Sequence, residues 1–225
     1  MLRERSMPAQ PAEGGGTVRA VRCKGGADVS HKRNGEYKTQ KDEWETPQWL
    51  FDMLDREFKF SLDPAASIQH CNAKCKIFMT DALEEDWKET IRSGRKVGIL
   101  GADREDSIFL NPPYSAGNID KFMAKAWEES QKGAVVVCLV PCATDTKWWH
   151  NYSMKAQEIR FIKGRVKFIG YDTEGKQIKN SPKFSSCVVI FDQKLEQRNV
   201  DATRIGEYVR PRIGKTIEQP REART

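Results

Sequence analysis

Nowhere in the 225 residues do apolar side chains run on for the roughly 18 positions that a membrane-crossing helix needs. No membrane span is therefore expected. The N-terminus is polar and Gly-rich instead of apolar, so no signal peptide is expected either. Six cysteines occur, at positions 23, 71, 75, 138, 142 and 187, but nothing in their placement reads as a disulfide framework. Cys138 and Cys187 sit in apolar runs and read as buried small hydrophobes. These points favour a reducing cytoplasm. A G-x-G-x-x-G fingerprint is also missing, so a dinucleotide site is not supported.

What is there begins with charge. The chain carries +6 overall, unevenly spread. Residues 1–41 hold a net +5, residues 42–150 a net −6, residues 151–192 a net +4 and residues 193–225 a net +3. An acidic middle flanked by basic segments points to a polyanion as partner, and nucleic acid is the usual one. Ordinary solvated lysines would produce some of the same pattern.

The length suffices for one buried core with tails. Residues 1–41 hold Gly14-Gly15-Gly16, Gly25-Gly26 and scattered basic residues without apolar periodicity, and read as a flexible basic arm. Residues 42–192 hold the patterned part and read as one domain. Residues 193–225 read as a charged, loosely attached tail.

Within 42–192 the pattern alternates. Thr46-Pro47 reads as a helix start, with Thr as N-cap and Pro as first helical residue. Trp49, Leu50, Met53 and Leu54 then recur at helical spacing. Phe58 to Asp63 alternates and predicts a strand ending in a carboxylate, followed by the small-residue turn Pro64-Ala65-Ala66-Ser67. Lys76 to Met79 predicts a short strand, with Asp81 after it as a second strand-end carboxylate or as the cap of a helix. Ile108-Phe109-Leu110 is a strand. Ile119, Phe122, Met123, Ala126 and Trp127 mark an amphipathic helix that Gly133 ends. Ala134 to Val140 has the wholly apolar character of a strand buried on both faces. Strands are predicted again at 159–162, 165–169 and 186–191, with a polar loop over 171–183. The fold class is α/β, with a mostly parallel central sheet and a late antiparallel hairpin.

Asn111-Pro112-Pro113-Tyr114 follows the strand at 108–110, where open α/β sheets place their chemistry. Asn111 offers a side-chain carbonyl, and Pro112 offers a backbone carbonyl with no N–H of its own. The two prolines hold both acceptors in a fixed geometry. Tyr114 offers a flat ring on which a base can stack. Together they describe a pocket for an exocyclic amine on an aromatic ring, although two prolines after a strand also make a plain turn.

The order of motifs resembles the small phage-encoded, Dam-type family of adenine-specific DNA methyltransferases. The match rests on Trp44-Glu45-Thr46-Pro47-Gln48-Trp49-Leu50-Phe51, Leu62-Asp63-Pro64-Ala65-Ala66, Asn111-Pro112-Pro113-Tyr114 and the segment from Asn180-Ser181-Pro182 to Phe191. It spans roughly residues 42–192. The resemblance implies a Rossmann-like, S-adenosylmethionine-dependent methyltransferase fold. It also implies double-stranded DNA as substrate in a bacterial host cell, with no obligatory protein partner. Thr46 and Pro47 match the segment beside the cofactor's methionine end. Asp63, with Pro64 and Ala65, matches the carboxylate-bearing turn of the cofactor site, with alanines where the family's turn has glycines. Asp81 resembles the acid near the cofactor's adenine ring. Asn111, Pro112, Pro113 and Tyr114 match the catalytic loop. Phe168 is a candidate second wall for the base, or a core residue. By this resemblance adenine N6 is methylated by direct displacement after base flipping.

Other readings share some of these features. Amino-methyltransferases acting on RNA or on protein glutamine carry the same tetrapeptide. A catalytically silent nucleic-acid-binding protein would keep the fold, but Asn111 and Tyr114 are both intact. Pro141-Cys142 matches the nucleophile loop of cytosine ring-carbon methyltransferases, yet it follows a later strand; Cys142 reads better as structural. His70, Cys71 and Cys75 supply three zinc-type ligands without a fourth, so no metal is expected.

Overall fold

A computed structural model describes residues 44–66, 75, 79, 81–100, 105–115, 117–171, 177–180, 182–194, 212–214 and 216–219. The basic arm, His70, Cys71 and most of the strand expected at 76–79 lie outside these residues. Pro47 is the N-cap of α1 (Gln48–Phe58), not its first residue, and its ψ of 139° is extended. Thr46 is therefore one position too early to cap. Leu50 and Leu54 line the buried face of α1, as the spacing predicts, but Phe51 is buried with them while Trp49 and Met53 are only half-buried. Lys59, at φ 51°, ends the helix in the left-handed region. Because α1 takes up Phe58, the strand expected over 58–63 shrinks to a single parallel bridge between Leu62 and Ile108. Ser61 N–H donates to the Ser107 carbonyl at 2.8 Å, and Phe109 N–H to the Leu62 carbonyl at 3.0 Å.

Helix α2 (Trp87–Lys96) starts at Asp86, whose side chain accepts from Glu89 N–H at 2.8 Å. Asp81 caps no helix; its Oδ1 accepts from Leu83 and Glu84 N–H in the preceding turn. Strand β1 (Ser107–Leu110) leads into the N-P-P-Y loop and α3 (Asn118–Gln131), after which Gly133 turns the chain at φ 89°. The remaining elements are β2 (Val135–Pro141), α4 (Lys147–Asn151), a 3-10 turn at Ser153–Lys155, β3 (Glu158–Phe161), β4 (Phe168–Tyr171), β5 (Gln177–Asn180), β6 (Ser186–Phe191) and β7 (Arg212–Ile213).

The main sheet has the order β1-β2-β6-β3-β7. It is mixed, and this corrects the mostly parallel sheet expected from the alternation. β1–β2 and β3–β7 pair parallel, but the longer β2–β6 ladder and the β6–β3 ladder are antiparallel. Among the described residues, four strands thus share one direction and β6 alone opposes them. A wholly apolar run such as Cys187-Val188-Val189-Ile190-Phe191 reads the same in either direction, so sequence could not reveal the reversal. The late hairpin exists but is built differently from expectation. It joins β4, which overlaps the strand expected over 165–169, to β5, which lies inside what reads as a polar loop, and forms a separate two-stranded sheet.

Both faces of the main sheet are covered. Val136, Cys138 and Val140 of β2 pack with Trp87 and Ile91 of α2 and with Ile119, Met123 and Ala126 of α3. Val137 and Leu139 face the opposite way, onto Leu50, Phe51 and Leu54 of α1 and onto Phe168. Each such side chain, fully buried, contributes roughly 1.5–3 kcal/mol. Part of the segment read as a loose tail also joins the fold. Ile217 is buried and bridges Ile162, and Gln219 is buried beside it.

Candidate active site

Because β1 and β2 are parallel and in register from Ser107–Val135 to Leu110–Cys138, their carboxyl ends share one edge. Asn111 and Pro141-Cys142 lie there. The Leu62–Ile108 bridge brings Asp63 to the same edge. Three of the four strand-end groups read from the sequence therefore converge, whereas Asp81 is exposed and committed to its turn.

Asn111 is held at both ends of its amide. Nδ2 donates to the Trp44 carbonyl at 2.9 Å, and Oδ1 accepts from the Tyr114 hydroxyl at 2.7 Å. That hydroxyl also lies 3.0 Å from the Leu139 carbonyl oxygen, on β2. Pro112 is buried, while Pro113 and the Tyr114 ring are half-buried. Tyr114 sits where the two cores meet, packed against both. Burial of its hydroxyl pushes its pKa well above the usual tyrosine value, with the nearby Cys187 and Cys138 adding to the shift.

Two phenylalanines meet Tyr114 edge to face. Phe168 lies at 6.2 Å between centroids with planes at 80°, and Phe184 at 5.5 Å and 79°. Phe168 is only 2% exposed and belongs to the core. Phe184 is half-buried.

Residues 34–212 match the family described as DNA N-6-adenine-methyltransferase (Dam). The chain belongs to this family. The DNA N-6-adenine-methyltransferase of Haemophilus phage HP1 (strain HP1c1) is 33% identical over 165 residues, which cover 70% of this chain and 82% of that protein. That of Escherichia phage T1 is 26% identical over 211 residues, 84% of this chain and 79% of that protein. The enzyme is an adenine-specific DNA methyltransferase, acting at the N6 amine.

The family implies S-adenosylmethionine as methyl donor, and the residues present fit such a group. Thr46 is 3% exposed, and its Oγ1 has no hydrogen-bond partner among the described residues. An orphaned buried hydroxyl costs about 1–3 kcal/mol unless a ligand answers it. Asp63 is 5% exposed, Pro64 is buried beside it, and Ala65 is half-buried. A buried carboxylate next to small side chains suits a polar ligand approaching the backbone.

Three further residues touch the N-P-P-Y loop without a signal of their own in the sequence. The Trp44 carbonyl holds Asn111, although Trp44 stands out only as part of the Trp44–Phe51 motif. Leu139 contributes a carbonyl that no side-chain pattern reveals. Phe184 meets Tyr114, and its aromatic character next to Pro182-Lys183 is its sole mark in the sequence. Cys142 is half-buried at the same edge, its N–H donating to the Ser185 carbonyl at 2.9 Å. Among the described residues, no helix is long and apolar enough to cross a membrane.

Proposed function

We propose that the methyltransferase takes an adenine flipped out of double-stranded DNA and holds its amine between Asn111 Oδ1 and the Pro112 carbonyl. One observation carries this reading. The Asn111 amide is bonded at Nδ2 and at Oδ1, and a carbonyl oxygen has two lone pairs. With Tyr114 on one lone pair, the other remains for an N–H of the base. Adenine's amine is a poor nucleophile because its lone pair is delocalised into the ring. Two acceptors on its two N–H groups draw the nitrogen toward tetrahedral geometry and localise the pair. The acceptors are set before the base arrives, so little reorganisation is needed during reaction.

Tyr114 is the stacking platform in this reading. Stacking is worth about 1–3 kcal/mol per base and offsets part of the few kcal/mol that flipping costs. Phe184, half-buried, and Phe168, in the core, both meet Tyr114 edge to face and so brace its ring; of the two, Phe184 is the one near enough to the surface to touch a flipped base. Thr46, Pro47, Asp63, Pro64 and Ala65 would hold S-adenosylmethionine in a Rossmann-like site, whereas Asp81, exposed and bonded within its own turn, is not assigned to it. When bound, that cofactor supplies an electrophilic methyl group. No covalent bond to the chain is required, so Cys142 has no catalytic part.

The test combines labelled S-adenosylmethionine with unmethylated duplex DNA and nucleoside analysis, for the natural chain and for Asn111→Ala. The label is expected in N6-methyladenine, and the substitution is expected to lower kcat by about 10²–10³ while cofactor binding persists. Label only in cytosine, RNA or protein would overturn the substrate assignment. Full activity of Asn111→Ala would overturn the mechanism.

A further inference from the structure

An asparagine amide has two orientations related by a half-turn, and only one presents oxygen to a substrate amine. Tyr114 does not decide between them. Its hydroxyl donates to Asn111 Oδ1 here, but it could equally donate to the Leu139 carbonyl and accept from a reversed amide. The Trp44 carbonyl can only accept. It tolerates Nδ2 and repels Oδ1, so the 2.9 Å bond from Nδ2 selects the orientation.

The backbone at Trp44 is in turn placed by β4. Glu45 N–H donates to the Ile169 carbonyl at 2.8 Å, and Ile169 N–H donates to the Glu45 carbonyl at 3.0 Å. The Trp44 ring lies directly on Gly170. A Cβ at position 170 would collide with Trp44 Cζ3 and fall 2.8 Å from Cε3. A rigid indole cannot bend out of such a contact, so either the whole ring turns off its seat or the Trp44 backbone shifts, and the Trp44 carbonyl loses its fixed support. Phe168, two residues earlier and so on the same face of the strand, meets Tyr114 edge-on.

We infer that β4 is a positioning element for the catalytic loop, in which Gly170 seats Trp44 so that the Trp44 carbonyl holds the Asn111 amide oxygen-outward. The inference rests on the proposed role of Asn111. Gly170 and Trp44 touch no substrate in this arrangement; they act through Asn111.

Steady-state kinetics of Gly170→Ala test it. Misplacing a reacting group by about an ångström can cost about a hundredfold, so kcat is expected to fall about tenfold to a hundredfold. KM for DNA is expected to stay within about twofold, because Gly170 and Trp44 touch no DNA in this arrangement. Trp44→Phe, which shortens the ring, is expected to restore most of kcat in the Gly170→Ala background. In an Asn111→Ala background, Gly170→Ala is expected to add no further loss, since both changes act through one group. An unchanged kcat in Gly170→Ala overturns the inference, as does a full additional loss on top of Asn111→Ala. A loss that Trp44→Phe does not relieve, with a lowered melting temperature, also overturns it by making the effect one of folding. If Asn111→Ala itself is fully active, the underlying mechanism fails. If Asn111→Ala is impaired and Gly170→Ala is not, only the inference fails.

Discussion

The Tyr114 hydroxyl lies 2.7 Å from Asn111 Oδ1, so the proposed stacking residue and the proposed amine acceptor of one tetrapeptide are bonded to each other. Desolvation keeps that hydroxyl protonated through the alkaline range, and it remains a donor. The ring and the hydroxyl therefore have separable functions. Tyr114→Phe removes one neutral hydrogen bond, worth about 0.5–1.5 kcal/mol, and is expected to lower kcat about two- to tenfold. Tyr114→Ala removes the platform as well and is expected to weaken capture of the flipped base by a further 1–3 kcal/mol, roughly. Fluorescence of 2-aminopurine at the target position, measured beside kcat, separates the two. Equal losses in both variants would mean that the ring does not stack on the base.

Phe168 and Phe184 face the same tyrosine but are expected to respond differently. Phe168→Ala opens a cavity in the core and is expected to cost about 3–5 kcal/mol of stability. Phe184→Ala removes a half-buried ring and is expected to raise KM for DNA with little change in melting temperature. Thermal unfolding and DNA titration of both variants check this. If Phe168→Ala stays stable and loses DNA binding, the second wall is Phe168.

Gln219 lies beyond the stretch matched by the family, and its Nε2 donates to the Lys163 carbonyl at 2.9 Å and to the Arg165 carbonyl at 3.0 Å. With Ile217 it closes the turn between β3 and β4. Gln219→Ala is expected to destabilise the chain by about 1–3 kcal/mol, read as a shift in the urea midpoint. An unchanged midpoint would show that this segment adds nothing to the fold.

Asp86 links the start of α2 to the end of α3. Burial alone would raise its pKa, but the Lys132 ammonium at 2.7 Å and the Glu89 N–H outweigh that, and the carboxyl titrates below its usual value. A lowered folded-state pKa means that the folded chain binds fewer protons than the unfolded one. The resulting stabilisation is present above about pH 4 and is lost as pH falls through the folded value. Asp86→Asn keeps a capping oxygen but not the charge. It is expected to be less stable than the natural chain at neutral pH and to show a shallower decline below pH 4, measured by urea midpoints across pH. Parallel declines in the two proteins would remove Asp86 as the cause.

Features encoded by neighbouring residues were legible in the sequence. The N-P-P-Y loop, the burial of Leu50 and Leu54 on α1, the extent of α3 with Gly133 at its end, and the burial of β2 from Val136 onward all follow from local spacing. Each such pattern reports the environment of one element alone. The resemblance, built on four short segments, carried the activity because those segments bring chemical groups and not merely shape. Boundaries were less secure. Phe58 fits the end of a helix as well as the start of a strand, and α1 claimed it through a left-handed turn at Lys59.

What needed the tertiary structure was direction, partnership and orientation. The reversal of β6 is invisible in an apolar run that satisfies either ladder. β5 is polar and short, and only its pairing with β4 makes it a strand. Ile217 and Gln219 gain their meaning from a turn more than fifty residues away. The sequence by itself determined that an asparagine and two prolines stand at a strand end. Which way that asparagine faces was decided by a carbonyl 67 residues earlier, because an amide's two ends differ only in what they can bond, and that depends on the neighbour the fold supplies.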